Sequence, residues 1–380
     1  EMMHTTGTQA SELTAVLGMY PWKNFREAPG PEWEKLQASE FNKLRVRKMG
    51  CHNCMIRCSQ ITKVWDGPFK GAWSEGPEYE TLWSFSGPIG KAEIGLTVLA
   101  DRMCDDLGLD TISAGQTIGF AYELYEKGVI TKEDTDGLEL AYGNIEVVPK
   151  LIEMIAHREG FGDILAEGTK RMAEKYNQGS EHYAIQVKGL ELPAYDPRGA
   201  KAHGLNLATS PLGADHNYGY GSQELFGVPI PRPVDRFAVE GKGEITKFNQ
   251  DWAAFTETGI LCTFASLMTG PDVFSQLLYG ATGVEEFADP NYMWVVGERI
   301  VNLERMFNAR EGFTREDDRM PERIVKEPLP YGPSAGQVFE EDALLDDYYA
   351  ARGWDKETGL PTADKLRQLG LDFTLDYAAQ

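Results

Sequence analysis

The feature that most constrains this chain is a run of three cysteines within eight residues, Cys51-His52-Asn53-Cys54-Met55-Ile56-Arg57-Cys58. Thiolates spaced C-x2-C-x3-C can wrap one metal ion or one corner of a cluster without long side-chain reach. The other two cysteines are Cys104 and Cys262. An odd, low count in 380 residues does not read as a secreted disulfide framework, so the triplet points to a metal or cluster site in a reducing cytoplasm. Zinc ribbons use two C-x2-C pairs, or combine Cys pairs with His pairs. One tight triplet with a distant fourth thiol, Cys262, better suits a [4Fe–4S] cluster. Structural zinc and three unligated thiols are the alternative readings. His52 reads as exposed or supporting, not as a ligand. Cys104 lies on an apolar helical pattern and is expected to be a buried helix thiol.

Composition narrows the classes. Lys plus Arg is 37 against 59 for Asp plus Glu, a net charge of -22. That argues against a general nucleic-acid binder or a protein lying on anionic lipid. Hydrophobic residues at 42% support a sizeable core, and the length suggests two or three domains. No apolar run reaches the ~20 residues of a membrane span.

The pattern is mostly helical with few short strands. A short helix is expected over Ser11–Leu17, and residues 32–48 read as polar and helix-like, closing in Lys43–Lys48. From Lys91 to Leu107, apolar residues recur at helical spacing. Asp110 reads as the N-cap of a helix running to Glu126, which Gly128 ends. Further helices fit Ile145–His157 and Ile164–Tyr176. Tyr183–Val187 reads as a strand, and a domain boundary is placed there, giving 1–184 and 185–380. Residues 189–233, rich in Gly, Pro and Asn, read as a long functional loop. Helices return at 246–258, 271–280 and 291–308, and the tail reads as acidic turns with one short helix near Ala363–Leu369.

Three groups could carry chemistry. Arg45, Arg47 and Lys48 precede the triplet; they could raise the potential of a cluster or dock an acidic electron carrier, or simply be a solvated helix end. Glu75, Glu78 and Glu80 cluster at a helix start. Glu78 and Glu80 point to different faces, so one of them could serve as an acid or base. His216 lies in a Gly-rich loop, where a functional role is more frequent than on an apolar helix face.

Taken in order, Cys51/Cys54/Cys58, Gly76-Pro77-Glu78-Tyr79-Glu80-Thr81, Leu107–Ser113, Lys188–Gly199, Ala208-Thr209-Ser210 with His216, and Cys262 resemble the tungsten-containing aldehyde ferredoxin oxidoreductase family over nearly the whole chain. The resemblance implies two mostly helical domains of that type, the second and third of a longer, cytoplasmic and anaerobic enzyme whose β-rich N-terminal domain lies outside this sequence. It implies a [4Fe–4S] cluster on Cys51, Cys54, Cys58 and Cys262, and a tungsten or molybdenum bis-pyranopterin. Tyr79, Glu80 and His216 match the family's active-site residues. Asp110, Glu257 and Leu261 fall in its two pterin-binding segments, although Glu257 stands where Asp is usual, Ile260 where Gly is, and Asp215 where Cys is common. The implied reaction oxidises a small aldehyde to a carboxylic acid and passes electrons to ferredoxin or another carrier, with a homodimer or electron-transfer subunits as possible assemblies. A catalytic subunit of the benzoyl-CoA reductase type, or a non-catalytic Fe–S electron-transfer subunit, would share these motifs. An exposed patch around residues 189–220 is expected where the upstream domain would pack.

Overall fold

A computed structural model describes residues 2–267 and 269–377. The chain divides into two compact units: Glu1–Gly199 with Pro321–Phe339, and Ala200–Met320 with Glu340–Gln380. The boundary expected near residue 184 falls inside the first unit. The reason is the two-residue hairpin β4 (Gln186–Val187) and β5 (Leu190–Glu191): Glu191 Oε1 accepts from Thr169 N at 2.8 Å and from Thr169 Oγ1 at 3.0 Å, which ties the hairpin to that unit's helices.

In the first unit, helix α1 (Ser11–Val16) is followed by short turns and a three-stranded antiparallel sheet, β1 (Arg45–Met49), β2 (Ser59–Lys63) and β3 (Trp73–Glu75), in that order. The expected helix end at Lys43–Lys48 is therefore a strand. The register is irregular between Arg45 and Arg47, beyond which Lys48 sits opposite Gln60 and Met49 opposite Ser59. From β3 the chain enters α2 (Tyr79–Ser84), α3 (Ile94–Leu107) and α4 (Thr111–Glu126). Glu93 and Asp110 cap α3 and α4 by accepting from Gly95 N and Ser113 N, and Gly108 ends α3 with φ 71°. Gly115 of α4 lets the helix backbone approach Ser84, since a Cβ there would lie 2.4 Å from the Ser84 carbonyl oxygen. Helices α5 (Val148–His157), α6 (Phe161–Leu165) and α7 (Gly168–Tyr176) complete a core built on Leu96, Ile118, Tyr122, Leu151 and Met172.

A buried ion pair holds the returning segment 321–339 to this unit. Arg323 meets both oxygens of Glu123, at 2.7 and 2.8 Å, and donates to the Asn24 carbonyl at 2.7 Å. Asn24 in turn donates to Glu123 and accepts from Gln116. All four side chains are buried.

The second unit is all helical: α8 (Lys201–Thr209), α9 (Lys242–Thr258), α10 (Pro271–Thr282), α11 (Pro290–Arg310), α12 (Glu341–Arg352) and α13 (Ala363–Gln368), with shorter turns between them. Two of these depart from expectation. Helix α8 lies inside the stretch read as a loop; it is buried on every side, so it lacks the one-sided apolar stripe by which helices are recognised. Helix α12 lies in the tail read as acidic turns, because its two acidic residues in the first turn and Arg352 at its end mask the apolar face of Leu344, Leu345, Tyr348 and Tyr349. Of the exposed patch expected at 189–220, residues 191–210 are instead buried throughout, whereas Leu212 is 67% exposed. Among the described residues no helix is long and apolar enough to cross a membrane.

At the centre of the second unit, the fully buried Arg352 pairs with Asp251 and donates to Gln250 Oε1 at 2.7 Å. Gln250 also accepts from Tyr348 at 2.6 Å and donates to Asn206 and Thr209, both at 3.1 Å. One network thus joins α8, α9 and α12.

Removing one partner of a buried pair leaves the other charge unpaired, at a cost of about 3–5 kcal/mol. Arg323→Met should therefore lower the unfolding free energy read from urea denaturation by about that amount, and the double change with Glu123→Leu should recover most of the loss. Equal midpoints for wild type and Arg323→Met would show that the pair is energetically idle.

Candidate functional site

The cysteine triplet occupies the loop joining β1 to β2. Two residues turn the loop with positive φ, Asn53 at 56° and Arg57 at 50°, and Cys54 N donates to the Cys51 carbonyl at 3.1 Å. Asn tolerates this region well, whereas Arg57 is held there at a cost. Cys51 is exposed, and Cys54 and Cys58 are half-buried. Among the described residues no three His, Cys, Asp or Glu side chains converge as a metal site. The loop nonetheless gathers three thiols in nine residues of backbone pinned at both ends by strand pairing, and its donor chemistry fits a sulfur-ligated cluster. His52 is exposed.

Two polar groups flank this loop inside the protein. The amide of Gln60, 2% exposed, has neither its oxygen nor its nitrogen in a hydrogen bond, and the same holds for the buried ammonium of Lys48. Lys48 was expected at a helix end and instead points its ammonium inward, where burial lowers its pKa, followed by repulsion from Arg45, while Cys58 and Glu78 oppose the shift. In the sequence Lys48 is only one of three neighbouring cations, and no motif marks Gln60. The signal that could have exposed both is the alternation of a strand across the triplet.

Tyr79 and Glu80 open α2 and grip one residue. The Tyr79 hydroxyl donates to the Ala194 carbonyl at 3.0 Å, and Glu80 Oε2 accepts from Ala194 N at 2.8 Å. Tyr79 also meets Thr14 Oγ1 at 2.9 Å and packs its ring 5.5 Å from that of Tyr195. Just beyond Ala194 lies the buried pair Asp196–Arg198, whose guanidinium donates to the Phe25 and Glu327 carbonyls at 2.6 and 2.9 Å. Burial raises the Glu80 carboxyl to about 8; the bond from Ala194 opposes this, and Asp110 adds to it. A carboxyl poised near neutrality can hold or release a proton at working pH. Close by, Asp101 accepts from Ser74 and is pushed by burial to about 7, and burial also raises Glu78, which accepts from Thr8. The carboxyl of Asp110 is engaged as the cap of α4, at 2.7 Å from Ser113 N.

In the second unit, His216 stands on a turn after α8. Asn206 of α8 donates to the Asp215 carbonyl at 3.0 Å, Asp215 Oδ1 accepts from Asn217 N at 2.8 Å, and His216 Nε2 lies 3.2 Å from Asn217 Nδ2. The Tyr220 ring packs 6.0 Å from His216 and 5.5 Å from His203. His203 Nδ1 accepts from Gly221 N at 3.2 Å, so its proton sits on Nε2, and burial lowers its pKa to about 3. Glu257 lies in the last turn of α9, and Leu261 and Cys262 in the turn that follows it. Partial desolvation raises the Glu257 carboxyl, with Asp215 and Glu304 adding to the rise. Cys262 is exposed and precedes a four-residue helix, Thr263–Ser266. Between Glu257 and Cys262, Ile260 is 95% exposed with φ 54°. A β-branched residue in the left-handed region is strained. It occupies the place where the resembled motif carries glycine.

Cys104, on α3, is fully buried, and burial pushes its thiol up to about 12. It is a structural thiol, as expected.

Comparison with known proteins places these residues in a wider group. The family model for aldehyde ferredoxin oxidoreductase, domains 2 and 3, matches residues 1–371. The chain is 40% identical over 361 residues to the tungsten-containing aldehyde ferredoxin oxidoreductase of Pyrococcus furiosus, covering 93% of this chain and 58% of that protein. It is 37% identical over 358 residues to the protein so named from Thermococcus kodakarensis, again covering 93% and 58%. Identity to the aliphatic sulfonate oxidoreductase, WOR-like subunit, of P. furiosus is 30% over 368 residues, covering 92% and 55%. Among solved structures, the active site complex BamBC of benzoyl coenzyme A reductase, in complex with 1,5-dienoyl-CoA, matches with a TM-score of 0.74 at 22% identity. That match covers 97% of this chain and 60% of the other, and is a likeness of fold. The chain thus spans somewhat more than half the length of these relatives.

Two outcomes test the local chemistry. The Glu80 carboxyl is raised above its unfolded value of about 4.5, so the stability it contributes is full below that value and lost as pH rises towards 8. Glu80→Gln should therefore gain melting temperature over wild type progressively from pH 5 to 9, and a difference independent of pH would overturn the assignment. Ile260→Gly should stabilise the second unit by about 1 kcal/mol, as relief of left-handed strain; chemical denaturation reads it.

Proposed function

This chain belongs to the aldehyde ferredoxin oxidoreductase family, of which it carries domains 2 and 3, and from that premise we propose that it forms the cluster-bearing, proton-handling part of a tungsten-dependent oxidoreductase that converts an aldehyde to a carboxylic acid and delivers the electrons to ferredoxin. The observation that carries this reading is the Tyr79–Glu80 pair locked onto Ala194, with the Glu80 carboxyl raised to about 8. Closer identity to the aldehyde enzyme than to the sulfonate enzyme, 40% against 30%, favours an aldehyde as substrate.

Cys51, Cys54 and Cys58 would hold a [4Fe–4S] cluster, with Cys262 as fourth ligand. Asp110, Glu257 and Leu261 would contact a pyranopterin cofactor. Once bound, the tungsten cofactor supplies a Lewis acid and a two-electron sink. The remaining work belongs to side chains of this chain. Adding an oxygen from water to a carbonyl carbon, with loss of the aldehyde hydrogen, releases two electrons and two protons. Glu80 accepts a proton in its ionised form, and Ala194 N keeps its Oε2 directed while the backbone clamp excludes rearrangement. Tyr79 holds the carbonyl edge of the same residue, which keeps the Ala194 N–H in place for Glu80. His216 donates a hydrogen bond to the substrate's carbonyl oxygen.

Glu80→Gln in the whole enzyme should keep iron and tungsten content and lower turnover by roughly 10²–10⁴, measured as aldehyde-dependent reduction of a viologen dye. Activity within a few-fold of wild type would remove Glu80 from the reaction. Iron without tungsten or molybdenum in the active, purified protein would instead point to an electron-transfer subunit.

A further inference from the structure

We propose that Lys48 and Gln60 are a matched pair of hydrogen-bond donors to the sulfur atoms of the cluster on the 51–58 loop, and that together they hold its reduction potential up. The inference rests on the reading of the triplet as cluster ligands, and goes beyond it by naming what tunes the cluster.

The two residues face each other across the β1–β2 ladder, as directly opposed partners. Opposed residues point to the same face of a sheet, so both side chains leave the hairpin on one side. The next pair, Met49 and Ser59, closes the ladder, and the cysteine loop begins beyond it. Both side chains end in buried nitrogens that lack a hydrogen-bond partner. An amide and an ammonium left so inside a protein each cost free energy, more for the charged group. Such groups persist where an acceptor completes them.

The surroundings indicate which acceptor. Gln60 and Cys58 line one narrow cleft with Gly7, Gln9 and Glu78. The Lys48 ammonium responds to the charge of Cys58 and of Glu78. The carboxyl of Glu78 is already bonded to the Thr8 hydroxyl and to Ser59, and burial disfavours its ionised form. Two further acceptors border these donors, Gln9 Oε1, which is buried without a partner, and the sulfur of Cys58 with whatever that sulfur holds; of the two, only the sulfur carries charge. A thiolate-ligated cluster is anionic and gains one more negative charge when it accepts an electron. Donors and a cation beside its sulfurs stabilise the reduced form more than the oxidised one, and so raise the potential. In this role Lys48 and Gln60 are positioning residues, not ligands.

The test is an EPR-monitored redox titration of the anaerobic holoprotein, alongside its iron content. Lys48→Met and Gln60→Leu should each retain iron and lower the reduced-to-oxidised ratio at fixed potential by about tenfold, which is about 59 mV for a one-electron couple. Lys48→Arg, which keeps charge and donors, should restore most of the wild-type potential. Where Lys48→Met fails to fold, Gln60→Leu is read alone by the same criterion. Wild-type potentials in iron-replete variants would overturn the proposal while leaving the cluster itself in place. A wild-type protein with neither iron nor a cluster signal would instead sink the underlying assignment of the cysteines.

Discussion

A guanidinium taken out of water must find its carboxylate there, and the Arg323–Glu123 pair is where this chain meets that requirement. Glu123 sits in the last turn of α4, fully buried, and its second neighbour is Asn24 from the N-terminal loops. Neither group alone is tolerable in that place. Together they fix three stretches that are far apart in sequence: residues 22–28, the long helix, and the segment that returns after Met320. The second unit repeats the device with Arg352 and Asp251, where Gln250 spreads the charge's hydrogen bonds over three helices. Such pairs add little net stability compared with a well-packed apolar core, but they punish any other arrangement severely.

The chemistry hangs from this frame through short polar links. Asp196 and Arg198, two and four residues beyond Ala194, form a further buried pair whose guanidinium also donates to the carbonyls of Phe25 and Glu327. Ala194 sets Tyr79 and Glu80. The Glu80 carboxyl accepts from main chain at Ala194 N, a donor that does not titrate. In the second unit, Asn206 plays a similar part for the His216 turn, linking it to the Arg352 network by way of Gln250.

Much of this was legible in the sequence. The helices α3, α4, α9, α10 and α11 announce themselves by apolar spacing and by caps such as Asp110, and the cysteine triplet is plain. What failed to show has physical causes. Helix α8 is buried all round and keeps Lys201, His203 and Asn206 inside by pairing them, so polarity there reads as loop. The strand at 45–49 carries cations at Arg45, Arg47 and Lys48 that sequence alone assigns to solvent, yet Lys48 turns inward. The Tyr79–Glu80 pair was recognised by resemblance; the clamp on Ala194 that disciplines it is a backbone interaction that no side-chain pattern encodes. The apolar face of α12 was present and was overshadowed by its acidic neighbours.

The return of residues 321–339 to the first unit has a consequence for synthesis. Domains generally fold as the chain emerges, the N-terminal one first. Here the first unit cannot seat Glu123 until Arg323 has been made, and the whole of Ala200–Met320 is translated in between. A nascent chain must carry a carboxylate-bearing, incompletely closed core for the time it takes to build most of its neighbour. The order of assembly is thereby inverted: the unit that starts first is the one that finishes on a late arrival.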